Sequence, residues 1–146
     1  LFSVNDVANT RYIAGMDKMM ILKILVLMFP AVVFLQAGLD KLFNMKSNAQ
    51  YIQSVFAKTA LSSVSVLLFV LLVILELAAG LHAVAGAIML YVSGDAMLGY
   101  LSMVISTITL LGLLAGQRIA GDYAGAAGIV PYLAVVLGGL WVFTAI

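Results

Sequence analysis

Cysteine is absent from this chain. Disulfides, thiolate nucleophiles, cysteine-ligated zinc and iron–sulfur clusters are therefore excluded as products of its own side chains. Histidine occurs once, at His82, so neither a haem held between two histidines nor a histidine-rich metal site can be built within one copy; no metal site is expected. Charge is equally scarce. Seven basic and six acidic side chains make up 9% of the 146 residues and leave a net charge of +1, where an ordinary share is about 25%. Such a balance offers no basic stripe for phosphates, and no nucleic-acid partner is expected. Few charges combined with high hydrophobicity are also the reverse of a disordered composition.

What is present is apolar. Hydrophobic residues make up 65% of the chain, too many for a water-facing domain of this length, and the bilayer is the expected solvent and first partner. A hydrocarbon core about 30 Å thick needs roughly 20 apolar residues per helix. Four runs meet that length: about 19–42, 61–92, 96–116 and 129–146. Continuous apolar runs without alternation exclude a barrel, so the spans are helices. The predicted fold is an all-α membrane protein, a four-transmembrane-helix bundle forming a single domain over 1–146. Pro30 predicts a kink within the first span.

The stretch 43–59 is the most polar of the chain, with Phe43, Tyr51 and Phe56 among its Asn, Gln, Ser and Lys residues. It predicts an interfacial loop carrying a short amphipathic helix. Ser93, Gly94 and Asp95 predict a turn, and the Gly/Ala-rich Gly116–Gly128 a further loop. The basic residues divide as Arg11, Lys18 and Lys23 on one side against Lys41, Lys46, Lys58 and Arg118 on the other, which leaves the orientation open. A cleaved signal peptide fits the first run poorly. Leu1 is no initiator residue, so further residues are expected upstream.

Ionisable groups at bilayer depth need a reason. Glu76 lies near the middle of the second run, in VLLVILELAAG. It must either stay protonated or find a cation. Two roles compete for it: a proton-handling or quinone-contacting acid, and a buried anchor between helices. Helical spacing puts Gly80, Ala83 and Ala87 on its stripe, with Ala79 and Gly86 beside it. Small residues let a neighbouring helix approach, so Glu76 is expected to face the bundle. His82 lies about 120° around the helix from Glu76; it reads as a packing residue before a ligand, with a weaker proton-handling alternative.

Gln36 and Asp40 share a face of the first span, one turn apart. Lys41 is expected to snorkel to the interface. A sharper expectation is that Asp40 or Lys41 meets Arg118 and Asp122 after the third span, closing one end of the bundle with ion pairs. Trp141 reads as an aromatic-belt anchor. Gly138 and Gly139 permit close helix contact, whereas the GxxxG spacing of Gly112 and Gly116 is a common coincidence in Gly-rich spans.

Two stretches carry a family resemblance. FLQAGLDKLFN, at 34–44, resembles the end of the first helix of DoxX-like membrane proteins, and LELAAGLHAVAG, at 75–86, resembles their second helix. GQRIAGDYAGA, at 116–126, is loosely similar to the segment after a later helix. The resemblance implies a small four-helix protein of the bacterial inner membrane, with Gly38, Lys41, Glu76 and Gly80 as the positions carried over. It also implies links to thiosulfate:quinone oxidoreduction and to membrane redox complexes. This chain departs from a redox role in lacking any residue set that carries electrons. Such a role would need bound quinone or a partner chain.

Three functions therefore compete. The first is a non-catalytic accessory or anchoring subunit bound to other membrane subunits. The second is a quinone-linked oxidoreductase component, with Glu76 and His82 handling protons. The third is a small proton-coupled transporter using Glu76. The favoured reading is the accessory subunit, with no intrinsic cofactor.

Overall fold

The computed structural model describes the backbone of residues 4–145 and the side chains of residues 18–145. Arg11 therefore lies outside the described side chains. Five helices follow in order: α1 (Val4–Phe43), α2 (Met45–Phe56), α3 (Ser65–Ser93), α4 (Met97–Ala120) and α5 (Tyr123–Ala145), with one short 3₁₀ turn at Ser62–Val64 before α3. Among the described residues there is no strand. Four stretches are long and apolar enough to cross a membrane: Lys18–Phe43, Ser62–Ser93, Met97–Ala120 and Tyr123–Ala145. The four-span bundle expected from the apolar runs is what the chain forms.

Two boundaries differ from expectation. The 43–59 stretch is mostly helix, α2, and only Asn44 separates it from α1. Asn44 holds the joint, since its Nδ2 donates to Asp40 O at 3.1 Å and to Asp40 Oδ1 at 3.0 Å. On α2 the half-buried positions are Met45, Asn48, Ala49, Ile52, Val55 and Phe56. That three-and-four spacing makes one inward face. The Gly116–Gly128 loop is the larger correction. Helix α4 runs on to Ala120 and α5 begins at Tyr123, leaving Gly121 and Asp122 as the whole connection. Gly121 adopts φ +77° and ends α4 in the left-handed conformation that favours glycine. Asp122 Oδ1 accepts from Gly125 N at 2.8 Å and starts α5 as a side-chain cap. Glycine and alanine inside packed spans do not break helices, so only these two residues carry the turn. The predicted turn after the second span stands, with Gly94 at φ +75°.

The core runs along the shared interior of the spans: Leu27 and Phe34 of α1, Ala79 and Ala83 of α3, Met103 and Leu110 of α4 and Val136 of α5. Helix α1 continues through Pro30, which is itself buried. Of the glycine contacts between helices, the one joining α3 and α4 brings the backbones nearest. A Cβ added to Gly86 would sit 2.5 Å from the backbone nitrogen of Gly99. One side of each helix is left covered with exposed Leu, Ile and Val, which is the surface a lipid-facing bundle requires.

Candidate functional site

Helices α1 and α3 run antiparallel, and two glycines set their register. A Cβ on Gly38 would lie 2.8 Å from Leu77 Cδ2 and 3.2 Å from Leu77 N. One on Gly80 would lie 2.6 Å from Leu35 Cγ and 2.9 Å from Leu35 N. Each glycine thus meets the other helix at backbone distance, where any side chain would force the pair apart. One turn from Gly38 along α1 is Lys41, and one turn from Gly80 along α3 is Glu76. In an antiparallel pair those two turns coincide.

Lys41 and Glu76 accordingly form an ion pair, with Lys41 Nζ donating to Glu76 Oε1 at 2.9 Å. The Glu76 side chain is 3% exposed and that of Lys41 24%. Lys41 also reaches its own helix, with Nζ 3.4 Å from Ala37 O. The expectation that Lys41 snorkels free to the interface is corrected: it turns inward, because the offset of α1 against α3 brings a carboxylate within its reach. Glu76 faces the bundle as expected, with Ala79, Gly80, Ala83 and Gly86 buried along its stripe. Its second oxygen, Oε2, is buried without a hydrogen-bond partner, as is Ser106 Oγ on α4. One turn earlier along α4, Ser102 Oγ donates to Ala79 O at 2.8 Å and ties α4 to α3.

The other candidate residues do not join this pair. His82 is half-buried, and its Nδ1 lies 2.8 Å from Ala78 O of its own helix. The ring is thus engaged by the backbone of its own helix. Gln36 and Asp40 are exposed on α1, and Asp40 is occupied with Asn44. The expected closure of Asp40 or Lys41 on Arg118 and Asp122 does not form among the described residues. Arg118 instead stacks over the Tyr123 ring, 4.6 Å from its centroid, and Asp122 is committed to capping α5. The physical reason is locality: with a two-residue turn, both charged groups find partners within α4 and α5. At the opposite end Lys23 lies 5.6 Å over the ring of Phe143. Among the described residues no three His, Asp or Glu side chains gather in a group suited to a metal ion.

A cavity of about 420 Å³ lies between α2, α3 and α4. Its walls include Ile52 and Phe56 of α2, Phe69 and Leu72 of α3, and Gly112 and Gln117 of α4. Neither Glu76 nor His82 lines it. No sequence reading anticipated this cavity or Gln117, since it depends on where α2 comes to rest. Comparison with known protein families, with characterised proteins and with solved structures finds no match.

Proposed function

We propose that this chain is a DoxX-like accessory or anchoring subunit of a larger complex in a bacterial inner membrane. The observation that carries the reading is the Lys41–Glu76 pair. Among the described residues the one buried acid, Glu76, is engaged with the neighbouring helix, flanked by two glycine contacts that hold α1 against α3. On this reading the pair sets the register of α1 against α3, the role best attested for buried polar contacts between helices. The family resemblance supports the same class of protein, since Gly38, Lys41, Glu76 and Gly80 are the positions it singles out. They come together as one contact. Extraction in mild detergent followed by mass spectrometry of the intact complex tests the reading. The expected result is one or more larger subunits in fixed stoichiometry, retained in Glu76→Gln where the bundle still assembles. A chain that always emerges alone, after gentle cross-linking as well, overturns it.

A second reading, a quinone-linked oxidoreductase component, is favoured by the unpartnered Oε2 of Glu76. A buried carboxylate oxygen with free lone pairs is chemically able to take a proton from a donor brought to it. On this reading Glu76→Gln abolishes quinone-dependent turnover while assembly persists.

A further inference from the structure

Gln117 lines the cavity between α2, α3 and α4, and its Oε1 is buried with no hydrogen-bond partner. Its Nε2 lies against Gly125, 2.8 Å from where a Cβ would stand. The amide nitrogen thus faces α5 and the acceptor is left unsatisfied. A buried acceptor without a donor costs about 1–3 kcal/mol, so a ligand that supplies the donor is rewarded. Most of the wall is aliphatic and aromatic; of its other polar side chains, Thr109 already donates to Ile105 O at 2.8 Å, Asp122 accepts from Gly125 N at 2.8 Å and, like Gln117 Oε1, brings no donor, and Tyr51 stands on α2 at the exposed rim. The volume falls within the roughly 300–1,000 Å³ of small-molecule sites. The rim carries the exposed apolar side chains of Leu71, Ile108 and Ile119, so entry is from the lipid-facing side of the spans.

We propose that this cavity binds a single-tailed membrane amphiphile, its hydrocarbon chain held between Ile52, Phe69 and Gly112 and a hydroxyl of its head group donating to Gln117 Oε1. The site is independent of the Lys41–Glu76 pair and of the subunit reading. Gly112 gives it a selective block. Gly112 lines the cavity, yet a Cβ there would meet nothing within 4 Å. The first atom of a side chain there is unobstructed, so Gly112→Leu is the substitution that puts bulk on this wall.

The test uses the full chain in phosphatidylcholine nanodiscs carrying a diazirine-tagged monoacylglycerol, with cross-linked peptides located by mass spectrometry. Cross-links are expected on α2, α3 and α4 around the cavity. Unlabelled monooleoylglycerol should compete about tenfold better than methyl oleate, which has the tail but no donor, the factor that one hydrogen bond of about 1.4 kcal/mol supplies. Gly112→Leu should abolish the cavity cross-links. Gln117→Leu should keep them and erase the preference between the two competitors. Labelling spread evenly over all lipid-facing helices, or unchanged in Gly112→Leu, overturns the site. Equal competition by the two esters in the unaltered chain overturns the role of Gln117.

Discussion

The two ends of the α3–α4 pair use glycine to opposite effect. At one end Gly86 meets the backbone of Gly99, which in turn lies under the ring of Phe143 and against Leu27, and Gly139 closes on Met103 and Val26. At the other end Gly112 has open space around it, and Gly116 has only Phe56 in ordinary contact at 3.5 Å. The residue type is the same and the packing differs because the helices converge at one end and part at the other, where α2 spans the gap. A small residue permits close approach; the crossing geometry decides whether it happens. Gly112 and Gly116, spaced as GxxxG, line a cavity, while Gly86 and Gly99, from different helices and without any motif, bring two backbones together.

Matched substitutions sharpen that contrast. Gly86→Leu should be the most damaging, costing about 3 kcal/mol or more, because its side chain would have to displace the backbone of α4. Denaturant titration of helicity in micelles reads this, and a near-normal midpoint would break the comparison. Next in size is the ion pair that locks α1 to α3. Lys41→Met should cost about 2 kcal/mol, below the roughly 3–5 kcal/mol of a fully enclosed pair because Lys41 is partly exposed. The double variant Lys41→Met with Glu76→Leu should recover most of that loss, and strictly additive effects in the cycle would sink the pairing. Gly112→Leu, the same exchange as at Gly86, should change stability by about 1 kcal/mol or less and in the favourable direction, since it removes a helix-interior glycine. Smallest is Arg118→Gln at the α4–α5 turn, about 0.5 kcal/mol, as an exposed cation over a ring contributes little. A thermal scan that shows a large drop there would mean the turn holds the bundle more firmly than its local contacts suggest.

The four spans were legible in the sequence because the bilayer imposes a length on every apolar run, and runs of that length are hard to miss. The inward face of Glu76 was legible for a related reason: the alanines and glycines one and two turns along its stripe could only face a neighbouring helix. The two-residue α4–α5 turn was hidden by composition, although Gly121 followed by Asp122 is a helix stop and a helix start in succession. The partner of Glu76 was hidden by distance. Lys41 sits at a helix end and Glu76 in mid-run, and only the offset of α1 against α3 makes them level. The trace of that offset is the glycine one turn from each, Gly38 before Lys41 and Gly80 after Glu76. The cavity left no trace at all, because it belongs to the placement of α2 and to none of its residues singly.

The chain order of the ion pair also bears on how the protein is made. Lys41 is synthesised before Glu76, with α2 and the entry to α3 between them. A lysine at the end of α1 can wait with its ammonium among the head groups, well solvated. A carboxylate in the middle of α3 has no such refuge once its helix enters the hydrocarbon. Chain order therefore makes the cation before the acid it pairs with, so α3 meets its counter-charge already in place when it packs against α1. Reversing the two side chains keeps the attraction but leaves the long-stemmed lysine deep in α3 and a short carboxylate at the surface, an insertion order with a far less accommodating first step.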